Sequence, residues 1–135
     1  ASKWALEALA ESLHYELSSF SVESIIVEPG GHGTDLIQNP PSPFDVDCIN
    51  TYGKVGRAPT NIVKAFKDLF AQGDVNTDAQ NVADKLTELV NMKSRRPIRT
   101  TVGHNMGVEL MNAQVAPLQD EFIRSFLPIT GIKTG

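Results

Sequence analysis

Residues 1–17 read ASKWALEALAESLHYEL. Apolar residues follow the i, i+3, i+4, i+7 spacing of one helical face, at positions 6, 9, 10, 13, 17 and 20. Most residues of the stretch are good helix formers, and neither Gly nor Pro interrupts it. It therefore predicts a helix. Because no N-cap residue precedes the periodic run, the pattern starts inside an element, and we expect further chain upstream.

Two short apolar strands follow this helix along the chain. Residues 24–27, SIIV, are rich in β-branched side chains and are ended by Pro29 and Gly30. Residues 98–102 form a second such run, ended by Gly103. A continuous apolar strand after an amphipathic helix favours a parallel sheet covered by helices on both faces. We therefore predict two parallel strands with a right-handed crossover between them.

The segments between and after the strands carry weaker signals. Residues 35–58 are predicted to be a loop, because prolines fill positions 40, 41 and 43. A helix is predicted from Pro59, with Gly73 at its C′ position, and another from a capping box at residues 77–80. A last helix is predicted from residue 106, broken or kinked at Pro117, while residues 127–135 carry no helical prediction.

Composition limits the function classes. The 135 residues fit one domain, and a net charge of −4 gives no footprint for nucleic acid. No apolar run approaches the ~20 residues that cross a bilayer. The lone cysteine, Cys48, excludes an internal disulfide and fits a reducing compartment, which predicts a cytoplasmic protein. Asp45 and Asp47 are interpreted as solvated loop carboxylates, because no third metal ligand follows at a usable spacing.

Histidine and basic residues give no strong site of their own. The three histidines show no metal spacing, so no metal site is predicted. His14 is interpreted as a surface or interface residue. His32 lies in a glycine turn, where it could face a substrate, although a loop histidine without a partner is the favoured interpretation. A basic cluster is interpreted as a solvated helix end and loop, at positions 93, 95, 96 and 99.

The glycine turn after the first strand is the best candidate site from the residues themselves. Ligands of open α/β sheets bind beyond the carboxyl ends of the strands, and residues 29–34, PGGHGT, occupy that position. Gly30, Gly31 and Gly33 lack a Cβ, so the backbone could approach a flat ligand and adopt positive φ. Thr34 offers a hydroxyl and a backbone N–H. A plain strand-ending turn is the alternative interpretation.

Two motifs together resemble one family. Residues 1–3, Ala-Ser-Lys, resemble the second half of the Tyr-x-x-x-Lys signature of the short-chain dehydrogenase/reductase family, which often reads Tyr-x-Ala-Ser-Lys. Residues 24–34 resemble the strand and Pro-Gly-x-x-x-Thr turn that come next, and residues 96–103 resemble the last core strand. The resemblance implies an α/β fold, the C-terminal portion of a Rossmann-like doubly wound parallel sheet. Its element order is helix-strand-helix-helix-strand-helix, with residues 1–135 as a single partial domain.

The resemblance also implies a function and residue roles. The family interconverts alcohols and ketones by hydride transfer with NAD or NADP. Lys3 would be catalytic and cofactor-binding: it holds the nicotinamide ribose, and its charge lowers the pKa of a tyrosine one helical turn earlier. Pro29, Gly30 and Gly31 would lie against the nicotinamide ring, and Thr34 would contact its carboxamide. The long segment after Thr34 would cover a small-molecule alcohol or ketone.

Several parts of the family pattern are missing. Nothing in residues 1–135 matches the catalytic tyrosine, serine and asparagine, the glycine-rich cofactor turn or the ribose-selecting residue. The chain by itself is therefore expected to be an inactive, aggregation-prone fragment of an enzyme. A second apolar face of the first helix, with Trp4, Ala8 and Tyr15, suggests a homo-oligomer of the intact enzyme. The alternative hypothesis is a non-enzymatic helical binding or interaction module whose motif matches are coincidental.

Overall fold

The computed structural model describes residues 1–41, 44–73 and 77–131. Helices dominate, and two strands separate them. The elements in chain order are α1 (Ser2–Leu17), β1 (Ile26–Pro29), α2 (Asp35–Gln38), α3 (Val46–Thr51), α4 (Ala58–Ala71), α5 (Gln80–Asn91), β2 (Arg99–Val102) and α6 (Val108–Thr130), with single 3₁₀ turns at Ser18–Phe20 and Val55–Arg57.

β1 and β2 form a two-stranded parallel sheet. Ile26 pairs with Arg99 at one end and Pro29 with Val102 at the other. Helices α5 and α6 contact β2, and α1 contacts β1. The predicted mixed α/β class and the predicted parallel pairing of the two apolar runs are therefore confirmed. A doubly wound, Rossmann-like sheet would need more strands than the described residues contain.

α1 is fixed to the start of β1 by two side chains. The Nδ1 atom of His14 lies 2.7 Å from the carbonyl oxygen of Ser24, and the Ser24 hydroxyl donates to the Ala10 carbonyl over 2.8 Å. His14 is buried within the chain, so the surface alternative of its interpretation as a surface or interface residue was wrong. The contact joins α1 to the segment just before β1, so the residue pattern of α1 alone could not predict it.

The segment predicted as a loop, residues 35–58, contains two short helices. α3 begins where the Asp45 carboxylate accepts the backbone N–H of Cys48 over 2.8 Å, which is an N-cap. This part of the loop prediction was wrong, because a four- to six-residue helix carries too few residues to show a period. Residues 42 and 43, in the proline-rich stretch, lie outside the described residues.

The boundaries of α4 and α5 test the capping predictions. Pro59 lies in the first turn of α4, and Gly73 follows its C-cap with a φ of +70°, as predicted. The capping box at residues 77–80 is wrong, since α5 begins only at Gln80. There the Asp78 carboxylate accepts the Gln80 N–H over 2.8 Å, so capping uses the next residue along.

α6 runs unbroken for 23 residues, through Pro117 and Pro128, and ends at Gly131 with a φ of +77°. Of the two predicted effects of Pro117, a break was therefore wrong, and the helix also covers residues 127–130, for which no helix was predicted. Each proline removes one backbone donor, but good helix formers surround Pro117 and sustain the remaining hydrogen bonds. Residues 132–135 lie outside the described part of the chain.

The apolar core is small. Its buried apolar residues among those described are Ile26, Leu89, Val102 and Leu127. They come from β1, α5, β2 and α6, so the core surrounds the two strands. Within the described ranges, no helix combines the length and the apolar character that crossing a bilayer requires.

Candidate functional site

A cleft of about 700 Å³ lies at the carboxyl ends of the two strands. The turn after β1 forms one wall, and the loop after β2 forms another. Side chains from α2, α4, α5 and α6 complete the lining. The lining residues are Glu28, Pro29, Gly30, Gly31, His32, Thr34, Leu36, Ile37, Phe66, Ala79, Val82, His104, Asn105, Met106 and Val108. This position and size suit a small-molecule site in a parallel sheet.

Backbone hydrogen bonds fix the turn after β1 at both ends. The Gly30 N–H donates to the Val102 carbonyl over 2.8 Å, which extends the sheet by one bond beyond β1. The Gly33 N–H donates to the Thr77 carbonyl over 3.0 Å, just before α5. The turn is therefore held by both β2 and the approach to α5, and its shape does not depend on local sequence alone.

Two of the turn's glycines are needed because neighbouring groups come very close. A Cβ on Gly30 would lie 2.1 Å from the His104 carbonyl oxygen, and one on Gly31 would lie 2.4 Å from the Phe66 ring. Positive φ occurs at other glycines, and not at Gly30, Gly31 or Gly33. The expected left-handed backbone is therefore wrong for this turn, whereas close approach is correct, here to protein atoms.

Thr34 stands at the end of the turn and begins α2. Its backbone is extended, with φ −105° and ψ 167°, and its carbonyl accepts the Ile37 N–H over 3.1 Å. Its hydroxyl makes no capping bond to α2 within the described residues. The side chain is exposed at the cleft, so the hydroxyl can reach a bound molecule.

Of the five residues predicted for the site, four line this cleft: Pro29, Gly30, Gly31 and Thr34. Lys3 lies in the first turn of α1 and is exposed. The described residues that line the cleft do not include it. The chain therefore brings the four residues predicted to contact the nicotinamide to one cleft, and Lys3 is not part of its lining.

His32 is the residue that the sequence interpretation undervalued. It is only 8% exposed, and its Nδ1 lies 2.9 Å from the Gly30 carbonyl oxygen. Its Nε2 is buried and, within the described part of the chain, has no hydrogen-bond partner. The favoured interpretation, a loop histidine without a partner, was therefore wrong for Nδ1. The signal available in the sequence was its place among three glycines in the turn after β1.

A second polar group lies on the sheet beside α1 and α6. Arg99 of β2 donates to the Glu11 carboxylate over 2.9 Å and to the Gln119 amide oxygen over 3.4 Å, and Glu7 lies 3.8 Å away. Burial acts to lower the pKa of Arg99, but Glu11, Glu7 and Glu28 together raise it above its ordinary value. Arg99 therefore links β2 to α1 and α6 through ion pairs and a hydrogen bond, and its interpretation as a solvated residue was wrong.

Arg96, the other inward-facing member of the predicted basic cluster, ties the strand entrances together. It forms an ion pair with Glu23, which stands just before β1, and donates to the Leu89 carbonyl over 2.5 Å. The hydrogen bond from Arg96 holds the pKa of Glu23 below its usual range. A structural role thus accounts for Arg96.

Tyr15 does not supply the missing catalytic tyrosine. It lies near the end of α1, and burial raises its pKa, with further contributions from Glu11 and Asp120. A raised pKa keeps the phenol protonated at neutral pH, which is opposite to what an acid/base tyrosine needs. Across the described residues, no group of three His, Cys, Asp or Glu side chains could hold a metal ion.

The chain is similar to one curated protein, the uncharacterized oxidoreductase YusZ of Bacillus subtilis (strain 168). The two are 27% identical over 121 residues, which is 86% of this chain and 40% of YusZ. The chain thus spans about two fifths of the length of that relative. No protein-family model matches the chain, and no solved structure does. The similarity supports a relationship to an oxidoreductase.

Proposed function

We propose that this chain is the C-terminal part of an NAD(P)-dependent oxidoreductase of the short-chain dehydrogenase/reductase type, with a Rossmann-like sheet. The observation that carries the proposal is the cleft at the carboxyl ends of two parallel strands, lined by Pro29, Gly30, Gly31 and Thr34. The similarity to YusZ, which is named an oxidoreductase, supports the oxidoreductase part of the proposal. The reaction would interconvert an alcohol and a ketone.

The residues of the cleft fit a nicotinamide ring. Pro29, Phe66 and Val82 give apolar walls for a flat ring, and the Thr34 hydroxyl can bond a carboxamide. NAD or NADP would supply the hydride acceptor or donor. Lys3 would hold the ribose hydroxyls and, by its charge, favour the ionised form of a tyrosine that this chain does not contain. The 135-residue chain alone is therefore expected to be inactive.

The test uses the intact protein, by which we mean the natural polypeptide that carries these residues. We expect hydride transfer with a panel of alcohols and ketones, followed by absorbance of the reduced cofactor. Lys3→Met should lower kcat/KM by roughly 10²-fold or more, the range of acid/base contributions. Thr34→Val should weaken cofactor binding with a smaller effect on kcat. Lys64→Met is the matched control, because Lys64 is exposed and forms a solvent-exposed ion pair with Asp68.

Two results would contradict the proposal. The first is an intact protein that binds neither NAD nor NADP in a calorimetric titration. The second is an active protein in which Lys3→Met and Lys64→Met behave alike, which would remove Lys3 from the site.

An oligomer is part of the same proposal, because Trp4 on α1 is 63% exposed and can pack against a second subunit. Sedimentation of the intact protein as a monomer would contradict the proposed oligomer.

The alternative function is a non-enzymatic helical interaction module. One observation favours it: α6 exposes an apolar stripe that a partner could cover, with Leu118, Phe122, Phe126 and Ile129. If the intact protein fails to bind either dinucleotide, this alternative replaces the enzyme proposal. It predicts that charged substitutions on the stripe abolish partner binding while the chain keeps its helical content.

A further inference from the structure

His32 is a buried polar side chain in the wall of the cleft. Its Nδ1 lies 2.9 Å from the Gly30 carbonyl oxygen. A carbonyl oxygen can only accept, so Nδ1 must carry the hydrogen of that bond. In the neutral imidazole, Nε2 then has a free lone pair and acts as an acceptor. The Gly30 bond therefore fixes both the ring and the chemical character of its second nitrogen.

Nε2 is the unsatisfied part of this ring. It is buried, and it has no hydrogen-bond partner among the residues that the structure describes. Buried polar atoms are normally paired, so an unpaired acceptor in a folded chain requires an explanation. The same side chain lines a cleft whose other walls are mostly apolar. A few polar groups in such a cleft usually fix the orientation of the bound molecule.

We propose that Nε2 of His32 accepts a hydrogen bond from an N–H or O–H group of the molecule bound in this cleft. The inference rests on the proposed function, which offers two sources of that donor: the carboxamide of the nicotinamide and the hydroxyl of the alcohol substrate. Because Nε2 is covered, a donor reaches it only when a neighbouring side chain shifts. Thr34 lines the same cleft and offers the complementary donor, its hydroxyl.

Two substitutions separate the two nitrogens of the ring. His32→Asn places an amide nitrogen near the position of Nδ1, so it keeps a donor for the Gly30 carbonyl and removes Nε2. His32→Gln places an amide oxygen near the position of Nε2, so it keeps an acceptor and loses the Gly30 bond. A binding role predicts that the Asn variant is defective and the Gln variant is largely rescued. A purely structural role predicts the reverse order.

The binding measurement uses the intact protein, the dinucleotide that it binds, and the 3-acetylpyridine analogue of that dinucleotide. The analogue has an acetyl group in place of the carboxamide and therefore no N–H. If the carboxamide is the donor, wild type prefers the natural dinucleotide by about tenfold, the factor expected for one hydrogen bond, and His32→Asn loses that preference. If the substrate hydroxyl is the donor, both dinucleotides bind all variants equally, and His32→Asn raises the KM of the alcohol.

The outcomes decide between the proposals. Equal losses in both variants, or a larger loss in His32→Gln, overturn the role of Nε2, as does wild-type behaviour of His32→Asn towards both dinucleotide and alcohol. Thermal unfolding midpoints of both variants show whether either loss reflects folding. A wild-type protein that binds neither dinucleotide overturns the proposed function and this inference with it. Normal dinucleotide binding by the wild type, with no effect of His32→Asn on dinucleotide binding or on the KM of the alcohol, overturns this inference alone.

Discussion

Gly30 has no room for a side chain, and this gives a prediction at the scale of one residue. A Cβ there would stand 2.1 Å from the His104 carbonyl oxygen and 2.6 Å from its carbonyl carbon. Both are backbone atoms, so the contact cannot be relieved by rotating a side chain. Gly30→Ala should destabilise the intact protein by about 1–3 kcal/mol, the usual cost of overpacking. The midpoint of urea unfolding measures this change.

Gly33 supplies the control within the same turn. A Cβ there would meet the Thr77 carbonyl oxygen at 3.9 Å and the Phe70 ring at 4.0 Å, which are ordinary contacts. Gly33→Ala should therefore leave stability unchanged or raise it by up to about 1 kcal/mol, since alanine restricts the unfolded chain. Equal destabilisation by the two substitutions would show that the close approach at Gly30 is not the cause.

The same glycines show how far sequence reasoning reaches at single residues. The order of motifs placed Pro29, Gly30, Gly31 and Thr34 in one turn, and the structure brings them to one cleft. Their local pattern could not show which atoms approach them, because Phe66 and His104 are remote in sequence. The burial of His32 was missed for the same reason. The turn that carries it is held by a hydrogen bond from the Gly33 N–H to the carbonyl of Thr77, a residue that is also remote in sequence.

At the scale of elements, the long periodic segments were predictable and the short or proline-containing ones were not. α1, α4, α5 and the two strands each carry a clear hydrophobic period or a run of β-branched residues. α2 and α3 are too short to show one. α6 continues through Pro117 because a long helix tolerates the loss of one backbone hydrogen bond. The expectation that proline ends a helix does not take the length of the helix into account.

Arg99 joins α1, β2 and α6 through its side chain. Its side chain is 16% exposed, and it bonds Glu11 and Gln119. Arg99→Met should destabilise the intact protein by about 1–3 kcal/mol, because the half-buried Glu11 carboxylate loses its positively charged partner and keeps, among the described residues, only a long hydrogen bond from Gln119. The rate of amide hydrogen exchange should rise in α1 and α6 together, since both helices lose their contact with the same side chain.

The exposed pair of Lys64 and Asp68 is the control for this prediction. Their side chains are 75% and 62% exposed, and both lie on α4. Lys64→Met should change stability by less than about 0.5 kcal/mol, the usual value of an exposed i, i+4 pair. If Arg99→Met is equally mild, or if exchange rises in α1 alone, Arg99 does not connect the three elements as its contacts indicate.

The accessible surface of the whole molecule is large for its mass. The 14.7 kDa chain exposes 10071 Å². A folded monomer of this mass exposes about 6,900 Å², so this chain buries much less than a stable domain does. Large apolar side chains on α1 and α6 account for part of the excess, among them Trp4 and Phe122, which is 62% exposed. Extended apolar surface of this kind favours association.

We therefore expect the isolated 135-residue chain to bind a hydrophobic dye, to self-associate and to unfold over a broad temperature range. Phe122→Lys should reduce dye binding and association, because it places a charge on the exposed face of α6. Leu127, on the same helix, is only 6% exposed, so Leu127→Lys should instead lower the helical signal in circular dichroism. A monodisperse chain with a sharp, reversible transition would contradict this expectation, and it would mean that the small core around β1 and β2 suffices to hold the fold.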